Sequence, residues 1–167
     1  MEYIKGEHIV YNGIEICCVG EWVKSNFDGV TEKEYLSLHP YGINTTIYVP
    51  KEKCDEMLRP VLSKDELIEL INMMNDIDYQ IHDVPPDNDA DFVQAVKKGD
   101  YKTLIAFMNT IYNKGLKRAD SGKSLFKTDK RKFDIAKKLI DSEIAIAFGI
   151  DISEAEDFIR RQLTNHP

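Results

Sequence analysis

The sequence has few of the features that would place a protein outside the cell or in a membrane. It contains three cysteines, Cys17, Cys18 and Cys54, and two of them are adjacent. An odd, sparse count of this kind argues against a disulfide framework and favours reduced thiols inside the fold. No apolar run approaches the roughly 18 residues of a membrane span, and residues 1–5 lack the pattern of a secretory leader. We therefore expect a cytoplasmic protein with no membrane partner.

Motifs that carry chemistry are also missing. The four histidines are scattered, with no metal-type spacing to cysteine or acid. Residues 120–124 end like a phosphate-binding loop, but Lys117 stands where that motif needs its first glycine. Residues 87–98 begin like a calcium loop, yet Phe92 occupies the glycine position and Lys98 the position of the last ligand. We predict no catalytic residues, no metal, no cofactor and no small-molecule substrate, and hence a protein that is not an enzyme.

Charge is unevenly distributed along the chain. The formal net charge is -7, which taken alone disfavours nucleic acid as a partner. Residues 1–92 hold 7 Lys/Arg and 19 Asp/Glu, whereas residues 93–138 hold 13 Lys/Arg and 4 Asp. The local field decides where a phosphate backbone can approach. The basic segment 93–138 is therefore a candidate nucleic-acid contact, although a lysine-rich, solvated helix face is the commoner meaning of such a run.

Periodicity divides the chain into a β part and a helical part. Four short β-branched runs predict strands, and Asn12-Gly13 is a hairpin-type turn between the first two. The predicted strands are Glu7–Tyr11, Ile14–Val19, Glu34–Leu38 and Thr45–Val49. Helical spacing begins after Pro60. We predict an α+β protein, with a small antiparallel barrel or curled sheet over residues 1–58 and about five helices over residues 59–167.

Capping residues predict where the helices begin and end. Ser63 with Glu66, and Ser153 with Glu156, have the spacing of capping boxes. The remaining signals are helix starts at Asp89, Asp100 and Thr128, a polar basic connection over 115–124, a loop over 83–89, and a helix stop at Gly149.

Three stretches resemble the CarD/CdnL family of bacterial transcription regulators. Gly6–Tyr11 resembles the family's opening strand, and residues 34–60, with Glu34-Tyr35-Leu36, Val49-Pro50 and Arg59-Pro60, resemble the block that follows. The C-terminal half is similar through Gly99-Asp100, Gly122-Lys123-Ser124-Leu125, Asp129-Lys130-Arg131 and the long helix with Glu143. These stretches occur in the family's order across nearly the whole chain. The family's N-terminal module is shared with the polymerase-interacting domain of the transcription-repair coupling factor.

The resemblance implies a function and two sets of contact residues. It implies a Tudor-like β module that binds the RNA polymerase β subunit, and helices that contact promoter DNA near the upstream edge of the bubble to modulate open-complex stability. It also implies a nucleoid-associated location in the cytoplasm. The strand that we assign to the polymerase contact comprises Thr45, Thr46, Ile47, Tyr48 and Val49. The residues that we assign to weak, non-sequence-specific phosphate contacts are Lys114, Lys123, Lys127, Lys130 and Arg131.

One segment departs from the family's pattern. Better-known members carry a Trp wedge followed by Arg residues where this sequence has Val84-Pro85-Pro86-Asp87-Asn88-Asp89. Aspartates repel a phosphate backbone, although proline can act as an apolar wedge in a minor groove. A second hypothesis is therefore a protein-interaction module of the same fold that binds the polymerase without contacting DNA. A third, an enzyme or ligand-binding protein, has no recognisable site to support it.

Overall fold

The computed structural model describes residues 2–27, 29–74 and 89–165. The chain is α+β: an antiparallel sheet in the N-terminal part is followed by helices. The chain forms two compact units, Met1–Val61 and Leu62–Pro167. Strand residues 58–60 therefore lie in the first unit. Among the residues described, no helix is both long and apolar enough to cross a membrane.

The first unit holds a five-stranded antiparallel sheet. Its strands are β1 (His8–Tyr11), β2 (Glu15–Ser25), β3 (Lys33–Pro40), β4 (Ile47–Pro50) and β5 (Leu58–Pro60). The order β4-β3-β2-β1-β5 places β4 and β5 at the two edges. Within the described part of the chain these edges do not pair with each other, so the sheet is open and the barrel that we expected is not closed.

The core of this unit follows from strand alternation. Side chains two residues apart lie on the same face of a strand, and one face gathers apolar residues from all five strands. Buried members of this core are Ile9, Cys17, Val19, Leu36, Leu38, Val49, Cys54 and Leu58. The predicted Asn12-Gly13 turn is confirmed, because both residues have positive φ (49° and 75°), the geometry of a tight hairpin.

A β-bulge interrupts β2 beside its pairing with β3. The register shifts between Val19 and Trp22. The hydroxyl of Ser37 accepts a hydrogen bond from the Glu21 amide (2.7 Å) and donates one to the Glu21 carbonyl (2.9 Å). A Cβ added at Gly20 would lie 2.4 Å from that hydroxyl, so the bulge needs glycine there. Ser37, which is buried, thus satisfies the main-chain groups that the bulge removes from the ladder.

Three features near the end of this unit differ from the prediction. The edge strand runs over Ile47–Pro50, so Thr45 and Thr46 precede it instead of belonging to it. A short helix α1 (Cys54–Met57) and strand β5 were not predicted. Both are too short to show a period, and β5 ends in Pro60, a residue that weakens strand signals.

The second unit is helical. Its helices in the described residues are α2 (Lys64–Met74), α3 (Asp89–Lys98), α4 (Tyr101–Asp120), α5 (Lys127–Phe148) and α6 (Ala155–Asn165), which with α1 make six. Apolar residues three and four apart bury one face of each long helix. The buried residues of α4 and α5 include Leu104, Ile105, Phe107, Ile111, Ala136, Leu139, Ile140 and Ile144.

Several predicted helix ends are confirmed. The Ser63 amide donates to Glu66 Oε2 (2.8 Å) and the Glu66 amide to Ser63 Oγ (3.3 Å), which is a capping box at the start of α2. Asp100 accepts from the Thr103 amide at the start of α4. Gly149 ends α5 with φ 67°, a left-handed conformation that glycine adopts without strain.

Other predicted ends are wrong. Helix α4 continues through residues 115–120, which we had placed in a polar connection. Helix α5 is preceded by Phe126 and begins at Lys127, so Thr128 does not cap it. Asp89 lies within α3, whose described residues begin there, so it does not precede the helix as a cap.

The second predicted capping box also lies elsewhere. It is formed by Asp151 and Glu154 around a short 3-10 turn, instead of by Ser153 and Glu156. Of the predicted loop over 83–89, residues 83–88, including Pro85 and Pro86, lie outside the described residues.

Candidate functional site

The exposed face of α5 concentrates positive charge. Lys127, Lys130, Arg131 and Lys138 are exposed, with Asp134 between them, and together with Ile135 they line one shallow groove. Their spacing of three, four and seven residues places them on one side of a helix. Within residues 2–27, 29–74 and 89–165, none of these four cations forms an ion pair. This basic face is therefore available to an external anion.

Other cations of the basic segment have partners within the unit. Arg118 donates to the Ser124 carbonyl (2.7 Å) and lies 3.9 Å from the ring centre of Phe126. Lys132, largely buried, pairs with Asp89 (2.6 Å). These cations order the fold, which separates them from the exposed cations of α5.

Buried contacts fix the position of α5. Glu143 is fully buried; its carboxylate accepts hydrogen bonds from the Leu62 amide (2.7 Å) and from the Tyr101 hydroxyl. It thereby ties α5 to the segment before α2 and to the first residue of α4. A buried carboxylate without such donors would be strongly destabilising. The opposite side of α5, which carries the basic face, is held in place by this anchor.

The structure brings together only part of the predicted DNA-contacting set. Lys127, Lys130 and Arg131 share the basic face of α5. Lys123 lies in the connection before α5 and lines a different, apolar groove, and Lys114 lies half-buried on α4. Sequence reasoning missed Lys138, although its spacing of seven residues from Arg131 is a helical signal that would have identified it.

The five residues of the predicted polymerase-contacting strand have different environments. Thr45 and Thr46 are exposed ahead of β4, and Ile47 is half-buried. The Tyr48 side chain is 43% exposed, whereas Val49 is 1% exposed and belongs to the core. Val49 can therefore contribute only main-chain groups to a partner. Because β4 is an edge strand, its main chain has one side without a neighbouring strand in the described residues.

Tyr48 belongs to an aromatic cluster on the outer face of the sheet. The Phe27 ring lies 4.9 Å from the ring of Tyr48 and 4.9 Å from that of Tyr35. Tyr35 is buried, whereas Phe27 and Tyr48 are exposed. Aromatic pairs at this distance are favourable. Sequence analysis did not identify Phe27, and the signal that it missed was a large apolar side chain among polar turn residues.

Reactive groups are few in the part of the chain that the structure describes. Burial raises the pKa of the Cys17 thiol to about 12, and burial also raises the pKa of Cys54. Such thiols stay protonated and are poor nucleophiles. No group of three or more His, Cys, Asp or Glu side chains among these residues could hold a metal ion.

Comparison of the chain with models of known protein families and with curated proteins found no match. An assignment of function therefore rests on the residues themselves and on the two surfaces, the basic face of α5 and the edge strand β4 with its aromatic cluster.

Proposed function

We propose that this chain is a non-enzymatic transcription regulator of the CarD/CdnL type. In this proposal the β unit is a variant of the Tudor-like module and binds the RNA polymerase β subunit through the β4 edge. The basic face of α5 contacts promoter DNA near the upstream edge of the bubble and modulates open-complex stability. The observation that carries the proposal is four exposed cations on one helix face, none of them ion-paired within the described residues.

The geometry of the basic face suits a phosphate backbone. From Lys127 to Lys138 the helix rises about 16 Å, since each residue adds about 1.5 Å. Duplex DNA carries roughly ten phosphate charges over that length of its axis. Lysine and arginine contacts to phosphate position a protein without reading sequence. With a net charge of -7, the free protein would bind DNA weakly. Docking on the polymerase would raise the effective concentration of the basic face beside DNA.

The β4 edge suits an extended segment of a protein partner. An edge strand can add a partner strand through main-chain hydrogen bonds, while side chains on alternate positions supply specificity. Tyr48 and Phe27 provide an exposed aromatic surface next to that edge. Aromatic residues are enriched in the energetically important part of protein interfaces.

The DNA contact is tested by reversing charge on the basic face. We expect the double variant Lys130→Glu/Arg131→Glu to shorten the open-complex lifetime while leaving polymerase binding intact. The loss should be similar on different promoters, because phosphate contacts carry no base identity. A matched control is Lys97→Glu/Lys98→Glu, which makes the same charge change at exposed positions on α3.

Two outcomes would contradict a DNA contact by α5. If the double variant at 130 and 131 stabilises open complexes as well as the parent, the basic face does not act there. If the control at 97 and 98 causes an equal loss, bulk charge rather than the α5 face is responsible.

The polymerase contact is tested at Tyr48. We expect Tyr48→Glu to weaken binding to the polymerase β subunit at least about tenfold, because it brings a charge into an apolar interface. Tyr41→Glu is the matched control, since Tyr41 is exposed in the loop before β4 and outside the Phe27 cluster. Equal binding by both variants, with unchanged circular dichroism, would remove β4 from the interface.

The second candidate function is a protein-interaction module that binds the polymerase without DNA. Asp134 favours it, because this carboxylate lies within the basic face and reduces its charge. Salt dependence separates the two functions. Phosphate contacts make complex stability fall steeply with salt, whereas the interaction module predicts a stability that changes little between low and physiological salt.

A further inference from the structure

A second groove in the helical unit is apolar and does not include the basic face of α5. It lies between the C-terminal half of α4 and the chain that leads into α5, and its volume is about 380 Å³. The residues that line it are Ile111, Tyr112, Gly115, Leu116, Ala119, Lys123, Ser124, Leu125 and Phe133. Tyr112 is 59% exposed and Leu116 50% exposed. Large apolar side chains exposed together in a groove mark an interaction site more often than scattered ones do.

The groove arises because the apolar face of α4 continues beyond the part of the helix that the rest of the helical unit covers. Ile105, Tyr112 and Ala119 are seven residues apart and so lie on one side of the helix. Ile105 is buried in the core, whereas Tyr112 and Ala119 are exposed. Leu125 lines the groove and packs against Gly115, so closely that an added Cβ would lie 3.2 Å from its Cδ1.

The charge around this groove selects the kind of partner. Among the described residues that line the groove, Lys123 is the only one that is charged. A complementary ligand must therefore combine apolar side chains for the floor with negative charge for the rim. An amphipathic helix that lays its apolar face into a groove meets both requirements when its flanks are acidic.

We propose that the groove between α4 and Leu125 binds an acidic amphipathic helix from a partner protein. Apolar side chains one turn apart on that helix pack against Tyr112 and Leu116, and its carboxylates face Lys123. Duplex DNA is a poorer fit, because it presents ridges of phosphate that cannot fill a concave apolar floor. The site thus gives the protein a partner besides those proposed for β4 and for the α5 basic face.

The probe for this site is a fluorescein-labelled peptide of about 18 residues, long enough to form a helix. It carries Leu at helical spacing on one face and Glu on both flanks, and its isomer carries Lys in place of Glu. In fluorescence anisotropy with the full chain, the Glu peptide should bind at least about tenfold more tightly than the Lys peptide.

Three variants test the assignment. Leu116→Glu should weaken binding of the Glu peptide at least about tenfold. Val93→Glu makes the same kind of change at an exposed apolar residue of α3 and should leave binding unchanged. Lys123→Glu keeps the apolar floor intact and should weaken the Glu peptide while strengthening the Lys peptide, a reversal that misfolding cannot produce.

Three results would overturn the proposal. The first is equal binding of the two peptides. The second is displacement of the Glu peptide by a short DNA duplex in the parent, which would assign the groove to nucleic acid. The third is self-association in sedimentation velocity that Leu116→Glu abolishes and Val93→Glu does not, which would assign the groove to a second copy of the chain.

Discussion

Ser37→Ala is the substitution whose effect the structure specifies most closely. The hydroxyl of Ser37 is the hydrogen-bond partner of both the amide and the carbonyl of Glu21, at 2.7 and 2.9 Å. Alanine would leave both main-chain groups without that partner next to a side chain that is only 6% exposed. Leaving a buried polar group unpaired costs about 1–3 kcal/mol. Both hydrogen bonds are part-buried and Glu21 itself is exposed, so we expect a total loss of about 1–3 kcal/mol rather than the full penalty for each group.

The single tryptophan makes this loss measurable in the β unit alone. Trp22 lies in β2 next to the bulge, and the chain has no other tryptophan. Its fluorescence during urea unfolding therefore reports on the sheet and not on the helices. With a slope of about 1 kcal/mol/M for a small unit, the midpoint should fall by about 1–3 M. Ser25→Ala is the matched control, since Ser25 lies in the same pair of strands and its hydroxyl has no hydrogen-bond partner among the described residues.

The result also bears on the β4 edge. Ser37 is paired with Tyr48 across β3 and β4, so a loosened bulge should increase hydrogen exchange at Tyr48. The reasoning is refuted if the free energy of unfolding of Ser37→Ala agrees with that of the parent and of Ser25→Ala to within about 0.5 kcal/mol. The hydroxyl would then not support the bulge.

Three further changes have defined outcomes. Gly149→Ala should destabilise the helical unit by about 1 kcal/mol in thermal unfolding, because φ is 67° there and Cβ strains that conformation. Cys17 should resist alkylation at pH 8 until urea is added, because burial raises its pKa to about 12; mass spectrometry would detect early labelling. Hydrogen bonds from Lys137 and then Arg160 hold the pKa of Glu156 below its usual range. Its stabilising contribution should therefore be present above the pKa of an unfolded glutamate and lost as pH falls through the folded value, so Glu156→Gln should flatten the acid limb of a stability curve.

Prediction from sequence succeeded where a single local interaction decides the structure. Asn12-Gly13 needs only its own backbone to form a tight turn. Gly149 ends α5 because glycine, which has no Cβ, adopts the left-handed conformation without strain. The Ser63 and Glu66 box forms between residues three apart. In each case the residues that matter are neighbours in the chain.

Prediction failed where contacts distant in sequence select among local alternatives. Asp151 with Glu154 and Ser153 with Glu156 both have capping-box spacing, and the 3-10 turn before α6 uses the first pair. Thr128 is a good capping residue in isolation. The structure begins α5 earlier, next to Phe126, whose ring lies against Arg118.

The candidate sites also combine features that the sequence predicts with contacts that it does not predict. A helix start at Thr128 predicts that Lys130 and Arg131 lie in the first turn of the long helix, and the structure places both on one groove; Lys127 joins them there because the helix begins earlier than predicted. The environment of Tyr48 depends on Phe27, which reaches it from the turn after β2. That contact joins residues 21 positions apart, and no periodicity in either segment indicates it. Likewise, the apolar groove of α4 depends on Leu125 packing against Gly115.

The small size of β4 has a consequence for how the protein avoids aggregation. An uncovered sheet edge can recruit any extended chain, including another copy of itself. Strand β4 has four residues and ends at Pro50, so it spans only about 13 Å, and proline cannot donate a ladder hydrogen bond. Growth of a continuous intermolecular sheet needs longer, unbroken strands. An edge of this length can pair specifically with a short segment of a partner, but it is a poor template for the growth of a fibril.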